Sequence, residues 1–437
     1  MRALYFVDSI HIASVTEENA GEAVQRQEAT LSLISVVEGM QLESEQNENA
    51  PIMLTLHPSQ LQYDRRGGNI REGWYVYYND APSNGELFFS YGNTDPYAKE
   101  QIALNDNLRH QLLVASAGFS DVMTAEYLDV LLHSSTVRSY HVNVGHGNCS
   151  FLLIQYNGTY ELWCIDCSLH EKPNKKVGHT YHQPSFNKCM QSIAEELGID
   201  VQDLRINRFF LTHMHYDHFN GMRYLINKGY LYQNTICYIN LNYQMPSKNF
   251  NIVLQLMKNK GINKIVEPLT TTGNAVIQIY YPDRHLFRSQ HTVNTTDPYR
   301  VEKNVNDSST VIRFNLGNHS MVFTGDIEQD GLKEMASYMP YAPFCLTDIY
   351  AISHHGSETG HPLNINMMPW PFHSLRCCPW ISIIMGRDGA YNGIVSPKVV
   401  NDFSAISRLV TTDDLVKGQP ISFVTINWEN GQIDMIN

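Results

Sequence analysis

Residues 208–218 read Arg-Phe-Phe-Leu-Thr-His-Met-His-Tyr-Asp-His, and this stretch decides how the chain is interpreted. The apolar run at its start predicts a short buried strand, and a helix is predicted to follow directly. Because alternate side chains of a strand point to the same side, the imidazoles of His213 and His215 are expected to converge on one point. Asp217 and His218 lie on the following turn and can face a second point nearby. Histidine and carboxylate side chains in this pattern indicate a metal site that suits Zn²⁺ and would also accept Mn²⁺ or Fe²⁺.

The composition of the whole chain is that of a globular protein. Its 437 residues exceed one ordinary core and predict two or more domains, and 43% of them are hydrophobic and 17% charged. No apolar run reaches the roughly 20 residues of a membrane-spanning helix, and the N-terminus lacks the features of a signal peptide. A cytoplasmic protein without membrane contact is therefore expected. The eight cysteines are expected to be free, buried thiols.

The formal net charge of −13 bears on the class of substrate. An acidic chain attracts phosphate backbones weakly, which argues against a general nucleic-acid-binding protein. It does not argue against a nuclease, because bound metal ions supply positive charge locally.

The first 135 residues are expected to form a small α+β domain. Helical spacing predicts helices over 24–40, 97–118 and 125–135, and alternating aromatic residues around a Pro-Ser-Asn-Gly turn predict a hairpin over 71–92. The segment contains no chemical motif. It is interpreted as an accessory or oligomerisation domain, to which a protein partner or a second copy would bind.

Residues 136–437 are expected to form the second domain. Apolar strand-like runs alternate with helical patterns, and the pairs Asn157-Gly158 and Asn430-Gly431 predict tight hairpins. Strands that alternate with helices, together with terminal hairpins, predict a layered α/β domain.

Several further stretches follow one another in an order that resembles a known family. They are VGHGN at 144–148, NDSS at 306–309, FTGD at 323–326 and SHHGS at 353–357. With His-x-His-x-Asp-His, they make residues 138–430 similar to the ComEC-type branch of the metallo-β-lactamase superfamily. The resemblance implies an α/β fold, the metallo-β-lactamase αββα sandwich in which two mixed sheets are flanked by helices. It also implies a hydrolase that uses a hydroxide activated by two divalent metal ions, with zinc as the favoured metal.

The resemblance implies a role for each matching residue. The implied metal ligands are His213, His215, Asp217, His218, Asp307, Asp326 and His355. His213 and His215 would hold one ion. Asp217, His218 and His355 would hold the second, and Asp326 would bridge both. His355 is favoured over His354 because it directly precedes Gly-Ser. Asp307 is a further candidate for the first ion, which would otherwise be bound weakly.

Other residues are candidates for supporting roles. Asp217 or a protonated His354 would transfer protons at the leaving group. Asp166, His146 and Asn306 are expected next to the ligands, and Asp166 would orient the metal loop by hydrogen bonds. The branch usually has Gly-Gln-Gly-Asp where this chain has Gly-His-Gly-Asn, so His146 would compensate for the carboxylate that Asn148 lacks. Candidates for contact with the substrate are His179, His182 and Lys398.

Three functions fit these observations. The leading one is a metal-dependent phosphodiesterase or nuclease acting on nucleic acid or another phosphodiester. The second is a small-molecule hydrolase acting on a cyclic nucleotide, phosphocholine ester, lactone or thioester. The third is a non-catalytic scaffold that binds a partner through residues 1–135, against which the complete ligand set argues. A basic surface at the cleft would favour a nuclease, and a narrow pocket would favour a small substrate.

Overall fold

The computed structural model describes residues 2–19, 22–36, 52–62, 69–79, 89–169, 172–174, 178–180, 183–241, 243, 245–282, 305–338, 347–361, 379–388, 390, 393–416 and 418–437. His182, Cys345, Cys377 and Cys378 lie outside these residues. The side chain of His179 is also outside the description.

The N-terminal third contains a five-stranded antiparallel sheet. Its strands are β1 (Arg2–Asn19), β2 (Glu22–Ser35), β3 (Ile52–Leu56), β4 (Tyr75–Asn79) and β5 (Phe89–Tyr91). In space they follow the order β3-β2-β1-β4-β5. One face of the sheet packs around Trp74 with Val7, Leu31 and Val76, and these residues form a core of their own.

The prediction of a helix over 24–40 is wrong, because Glu22–Ser35 forms β2. Ala29, Leu31 and Leu33 are spaced two apart, the period of a strand, and all three are fully buried. Pairing with β1 and β3 on both sides overrides the helical propensity of the segment. The hairpin predicted over 71–92 is confirmed by the antiparallel pairing of β4 with β5.

Two helices follow this sheet, as the sequence predicted. They are α1 (Pro96–Ala115) and α2 (Ala125–His133). The Asp95 carboxylate caps α1 by accepting a hydrogen bond from the Tyr97 backbone N–H at 2.9 Å. The Asn105 amide of α1 donates to the Asn251 side chain at 2.8 Å, which ties α1 to the following part of the chain.

The next sheet has eight strands. The strands of this part of the chain are β6 (Thr136–Val142), β7 (Cys149–Tyr156), β8 (Thr159–Cys167), β9 (Lys172–Asn174), β10 (Gly178–Thr180), β11 (Arg208–Phe210), β12 (Ile236–Tyr238) and β13 (Lys264–Val266). With β22 (Phe423–Asn427) and β23 (Ile433–Ile436), the sheet has the order β13-β12-β11-β8-β7-β6-β22-β23. Strands β9 and β10 form a separate pair. Within this sheet, the pairs β8–β11, β11–β12 and β12–β13 are parallel and the other pairs are antiparallel, so the sheet is mixed.

A six-stranded mixed sheet follows. Its strands are β14 (Ile277–Tyr281), β15 (Val311–Leu316), β16 (His319–Phe323), β17 (Ile349–Ala351), β18 (Ile381–Ile384) and β19 (Arg408–Thr411). They are adjacent in chain order, antiparallel up to β16 and parallel from β16 onward. Strands β20 (Leu415–Val416) and β21 (Gln419–Pro420) form a short pair of their own.

Helices connect these strands. They are α3 (Gln183–Leu197), α4 (Tyr216–Phe219), α5 (Met222–Asn227), α6 (Lys248–Asn259), α7 (Gln329–Tyr338) and α8 (Pro397–Ile406). Short 3-10 turns occur at Pro58–Leu61, Val201–Asp203, Asn306–Ser308, His354–Gly356 and Glu358–Gly360.

The two large sheets pack face to face. Phe314 of the smaller sheet contacts Trp163 and Phe210 of the larger one, with ring centroids 5.6 and 4.9 Å apart. On the outer face of the larger sheet lies a core that includes Phe250 of α6. On the outer face of the smaller sheet, Phe403 of α8 belongs to a third core. This helix–sheet–sheet–helix layering confirms the predicted αββα sandwich.

Segments of the N-terminal third extend onto the sandwich. Buried Arg208 of β11 forms an ion pair with Asp121, which lies between α1 and α2, with Nε and Oδ2 2.7 Å apart. A domain boundary near residue 135 stays a prediction.

The described cysteines fit the expectation of reduced thiols. Cys149, Cys164, Cys167, Cys189 and Cys237 are buried and free. No helix in the described part of the chain combines the length and the apolar character that crossing a bilayer requires.

Candidate metal centre

The loop that follows β11 contains the candidate ligands His213 and His215 and is called the metal loop. One buried carboxylate holds it in place. Asp166 ends β8 beside it and accepts hydrogen bonds from the Thr212 backbone N–H and the Thr212 hydroxyl, both at 2.8 Å. The second oxygen of Asp166 also lies 2.9 Å from Nδ1 of His218. These contacts fix the loop and turn Nε2 of His218 away from Asp166.

Imidazole and carboxylate groups converge around Asp326, which follows β16. Its Oδ2 atom lies 3.1 Å from Nε2 of His355, 3.3 Å from Nε2 of His218 and 3.9 Å from Nε2 of His213. Nε2 of His213 is in turn 3.1 Å from Nδ1 of His215. A single carboxylate oxygen is therefore shared by three imidazoles.

A second group of possible ligands lies beside the first. Nε2 of His146 is 3.1 Å from Oδ2 of Asp217, and Nε2 of His355 is 3.4 Å from the same oxygen. Gly147 has φ +125°, and a Cβ there would lie 2.4 Å from the Asp217 carbonyl oxygen. Only glycine permits this close approach, so the turn brings His146 to the ligands rather than to their periphery.

The donor atoms fit divalent cations. Donors bound at about 2.0 Å to one tetrahedral Zn²⁺ lie about 3.3 Å apart, close to the separations found here. Among the described residues, Oδ1 of Asp326 is buried and accepts no hydrogen bond, and Nε2 of His218 and Nε2 of His355 both face Oδ2 of Asp326. Buried polar atoms normally have a hydrogen-bond partner. The His213–His218–Asp326 and His146–Asp217–His355 groups can therefore hold divalent metal ions.

Nε2 of His215 makes no hydrogen bond within the described residues and lies 3.7 Å from a carboxylate oxygen of Glu72. The ring nitrogens of His355 and His218 that face away from this cluster have hydrogen-bond partners. Nδ1 of His355 lies 2.7 Å from the Met385 carbonyl oxygen, and Nδ1 of His218 lies 2.9 Å from Oδ2 of Asp166. Such outer partners fix the tautomer and the orientation of a metal-binding histidine.

The charges of the cluster favour cations. Burial lowers the pKa of His355, but the carboxylates of Asp326 and Asp217 outweigh it and raise the pKa to about 9. Burial likewise lowers the pKa of His215, and the charge of Glu72 reverses this and raises the pKa to about 9. Burial alone would raise the pKa of Asp326, whereas the charges of His355 and His218 hold it well below its usual range. The cluster therefore stabilises positive charge next to an ionised carboxylate.

The N-terminal sheet supplies part of the site, which the sequence did not indicate. Both carboxylate oxygens of Asp8 in β1 lie 3.2 Å from the Tyr216 backbone N–H, at the start of α4. Glu72 accepts hydrogen bonds from the backbone N–H groups of Ile10 and Val305, each at 2.8 Å. No spacing or motif marks these carboxylates, because their partners are distant in the chain.

A cleft of about 410 Å³ lies over the cluster. The N-terminal sheet forms one wall and the sandwich forms the other. The histidines and carboxylates that line it are Asp8, His11, His146, His215, Asp217, Asp326 and His354.

The NDSS segment has a different position from the ligands. Asp307 accepts hydrogen bonds from the backbone N–H groups of Glu328 and Gly331, at 3.2 and 2.7 Å, and thereby stabilises the start of α7. Asn306 lines the cleft, and its amide lies 3.4 Å from Nε2 of His354. Asn306 therefore lies at the site, whereas the Asp307 carboxylate accepts hydrogen bonds at the start of α7.

His354 and His355 point in different directions. Their φ angles are +48° and +51°, in the left-handed region that side chains rarely adopt. His355 joins Asp326, whereas Nδ1 of His354 lies 3.1 Å from Oε1 of Glu328 and 2.9 Å from the Thr359 hydroxyl. Such strained backbone is often found at functional sites.

Of the three candidates for substrate contact, Lys398 alone has a described side chain. The side chain of His179 and the whole of His182 lie outside the described residues. Lys398 is exposed in the first turn of α8 and is not among the described residues that line the cleft. Their role in substrate binding stays a prediction.

Two solved structures are among those that a structural comparison matches to this chain. One is a long form RNase Z from yeast, with 11% identity and a TM-score of 0.34, where the similarity covers 83% of this chain and 51% of that one. The other is unliganded yeast PDE1, with 12% identity and a TM-score of 0.33, where it covers 63% of this chain and 97% of that one. The chain thus spans about half the length of the RNase Z. No family model and no curated protein matches the sequence. Both likenesses are distant, and neither identifies a substrate.

Proposed function

We propose that this chain is a metal-dependent hydrolase of the metallo-β-lactamase superfamily and that it cleaves phosphodiesters. The observation that carries the proposal is the shared position of Asp326, whose Oδ2 atom lies within 3.9 Å of nitrogens from three histidines. A carboxylate with two oxygens in this position suits a bridge between two metal ions. The ComEC-type resemblance of residues 138–430 supports the same chemistry.

The metal ions would be bound by residues from both sides of Asp326. On the pattern of the resembling family, His213 and His215 would hold the first ion, and Asp217, His218 and His355 the second. By distance alone, His218 groups with His213, and His146 joins Asp217 and His355. The nitrogen-rich donor set favours zinc. When bound, two such ions lower the pKa of a water molecule and stabilise negative charge on a phosphoryl oxygen.

Asp217 and His354 are the side chains proposed to act on the substrate. Asp217 is 14% exposed and lines the cleft, so its carboxylate can accept a proton from a group bound there. His354 lies on another side of the same cleft, with Glu328 3.1 Å from its Nδ1. A protonated His354 would hold positive charge beside the leaving group, and Asp217 would take up or release a proton there.

The cleft favours a small phosphodiester over a long polynucleotide. None of the described residues that line the cleft is a lysine or an arginine. To bind a polynucleotide, the protein would need lysine or arginine side chains that contact the phosphate backbone. A cyclic nucleotide or another small phosphodiester is therefore the second, more specific candidate.

The test is hydrolysis of bis(p-nitrophenyl) phosphate, cyclic nucleotides, RNA and single- and double-stranded DNA, each with Zn²⁺, Mn²⁺ or Mg²⁺. The wild type would be compared with Asp217→Ala and with His110→Ala, which removes an exposed histidine of α1. We expect metal-dependent hydrolysis that Asp217→Ala lowers by at least about 100-fold, the order of effect of losing a group that stabilises the transition state.

Each outcome has a distinct meaning. Hydrolysis of small diesters alone would support the small-substrate proposal, and cleavage of DNA or RNA would favour the nuclease. Absence of hydrolysis of every substrate by a metal-loaded wild type would contradict the phosphodiesterase proposal.

A further inference from the structure

We propose that His11, Glu328 and His354 form a third cation site, separate from the ligands grouped around Asp326. One nitrogen of each imidazole and one carboxylate oxygen of Glu328 lie within 4.8 Å of one another. Nδ1 of His354 is 3.1 Å from Oε1 of Glu328, and the rings of His11 and His354 have centroids 5.0 Å apart. The site would take a divalent transition metal such as Zn²⁺ or Mn²⁺.

The spacing of the three groups suits one ion. Three donors at about 2.0–2.2 Å from a common ion lie about 3.3–3.8 Å apart. Nδ1 of His354 and Oε1 of Glu328 are already 3.1 Å apart, and the nitrogen of His11, within 4.8 Å of its partners, would have to approach by up to about 1.5 Å. The donor set of two neutral imidazoles and one carboxylate is common in protein metal sites.

The three side chains come from separate parts of the fold; the two histidines are buried, and the side chain of Glu328 is 16% exposed. His11 lies on β1 and is 4% exposed, and His354 follows β17 and is 2% exposed. Glu328 directly precedes α7. A carboxylate next to two imidazoles at such depth is stabilised by a cation.

The carboxylate of Glu328 is held in place by neighbours that are not ligands. Its Oε1 atom accepts hydrogen bonds from the Thr359 hydroxyl at 3.1 Å and from the Asn306 amide at 3.3 Å. Outer hydrogen bonds of this kind fix the direction in which a ligand presents its oxygen. The NDSS segment would thus serve this site through Asn306.

The third cation site lies next to the proposed catalytic residues, so a bound cation would affect catalysis. His11 and His354 line the same cleft as Asp217 and Asp326, and the rings of His354 and His355 have centroids 6.2 Å apart. A cation held there supplies the positive charge beside the leaving group that the proposed function assigns to His354. It also links the N-terminal sheet to the sandwich.

The number of zinc ions bound per chain tests the proposal directly. The full chain, purified without a polyhistidine tag, would be dialysed against Zn²⁺ and its bound zinc counted by mass spectrometry. We expect three ions in the wild type and two in both His11→Ala and Glu328→Gln, with circular dichroism confirming that the variants fold. Glu328→Gln keeps the size of the side chain while it removes the anionic ligand. The control His110→Ala should retain three.

The two proposals can fail separately. A wild type with two ions, both lost in Asp326→Ala, would overturn the third site and leave the proposed hydrolase intact. Unchanged zinc content in His11→Ala and Glu328→Gln would also overturn the third site. Loss of one ion in each of these two variants, together with an ion that persists in Asp326→Ala, would establish it.

Discussion

Glu72 offers the sharpest test of how the N-terminal sheet supports the metal centre. Its Oε2 atom lies 3.7 Å from Nε2 of His215, and its two oxygens accept the backbone N–H groups of Ile10 and Val305 at 2.8 Å each. The other nitrogen of His215, Nδ1, faces His213 at 3.1 Å. The charge of Glu72 would therefore orient the ring so that Nδ1 could bind the first metal ion.

The substitution Glu72→Gln has two expected effects. It removes the charge next to His215, and loss of such an outer partner typically weakens metal binding about 10- to 100-fold, or about 1.4–2.7 kcal/mol. The amide NH₂ group would also face one of the two backbone N–H donors. An unsatisfied buried donor costs about 1–3 kcal/mol, so the free energy of unfolding should fall by that amount.

Competition with a chromophoric chelator would measure the Kd for Zn²⁺, and urea titration would measure stability. The matched control is Glu28→Gln, the same change at a buried glutamate of β2 that pairs with Arg26. A folded Glu72→Gln with a Kd within twofold of the wild type would refute the positioning role. An equal loss of metal affinity in Glu28→Gln would show that only the stability of the sheet matters.

Two further predictions concern buried groups. Asp166→Asn removes the charge beside His218 and places an amide NH₂ against the Thr212 donors, so zinc affinity should fall about 10- to 100-fold in the same competition assay; an unchanged Kd would contradict this. Burial lowers the pKa of His141 to about 3, so the unfolded chain, with an ordinary pKa of about 6.5, binds one more proton than the folded chain between these values. Stability is therefore lost as the pH falls below about 6.5, and the wild type should lose about 1.4 kcal/mol more than His141→Gln between pH 7.5 and 5.5 in urea unfolding. Equal losses would mean that His141 is not buried in its neutral form.

The N-terminal third takes part in the site in a way that bears on its role. Asp8, His11 and Glu72 come from this segment, and they contact the metal loop or line the cleft above it. The predicted accessory role, with binding of a partner or a second copy, stays a prediction. The contacts give the segment a second role as one wall of the cleft.

Local patterns in the sequence predicted much of the sandwich. The buried run before His213 predicts β11, and the two Asn-Gly pairs predict the hairpins β7–β8 and β22–β23. Periodicity and turn chemistry act over a few residues, so the order of residues in the chain contains this information. Within the described part of the chain, the segment 24–40 has a helical pattern but forms β2, because it pairs with a strand on each side.

Only the tertiary structure decided which distant residues meet. Glu72 and Val305 are 233 positions apart in the chain, and Asp8 and Tyr216 are 208 apart, so no periodicity relates them. The same holds for Asp307, a ligand candidate by its place in the chain, whose carboxylate instead accepts hydrogen bonds at the start of α7. The sequence by itself determined the metal-binding loop and the strands around it, because these depend on neighbouring residues. The packing of the N-terminal sheet against that loop determined the cleft, because it depends on contacts that close only when the whole chain has folded.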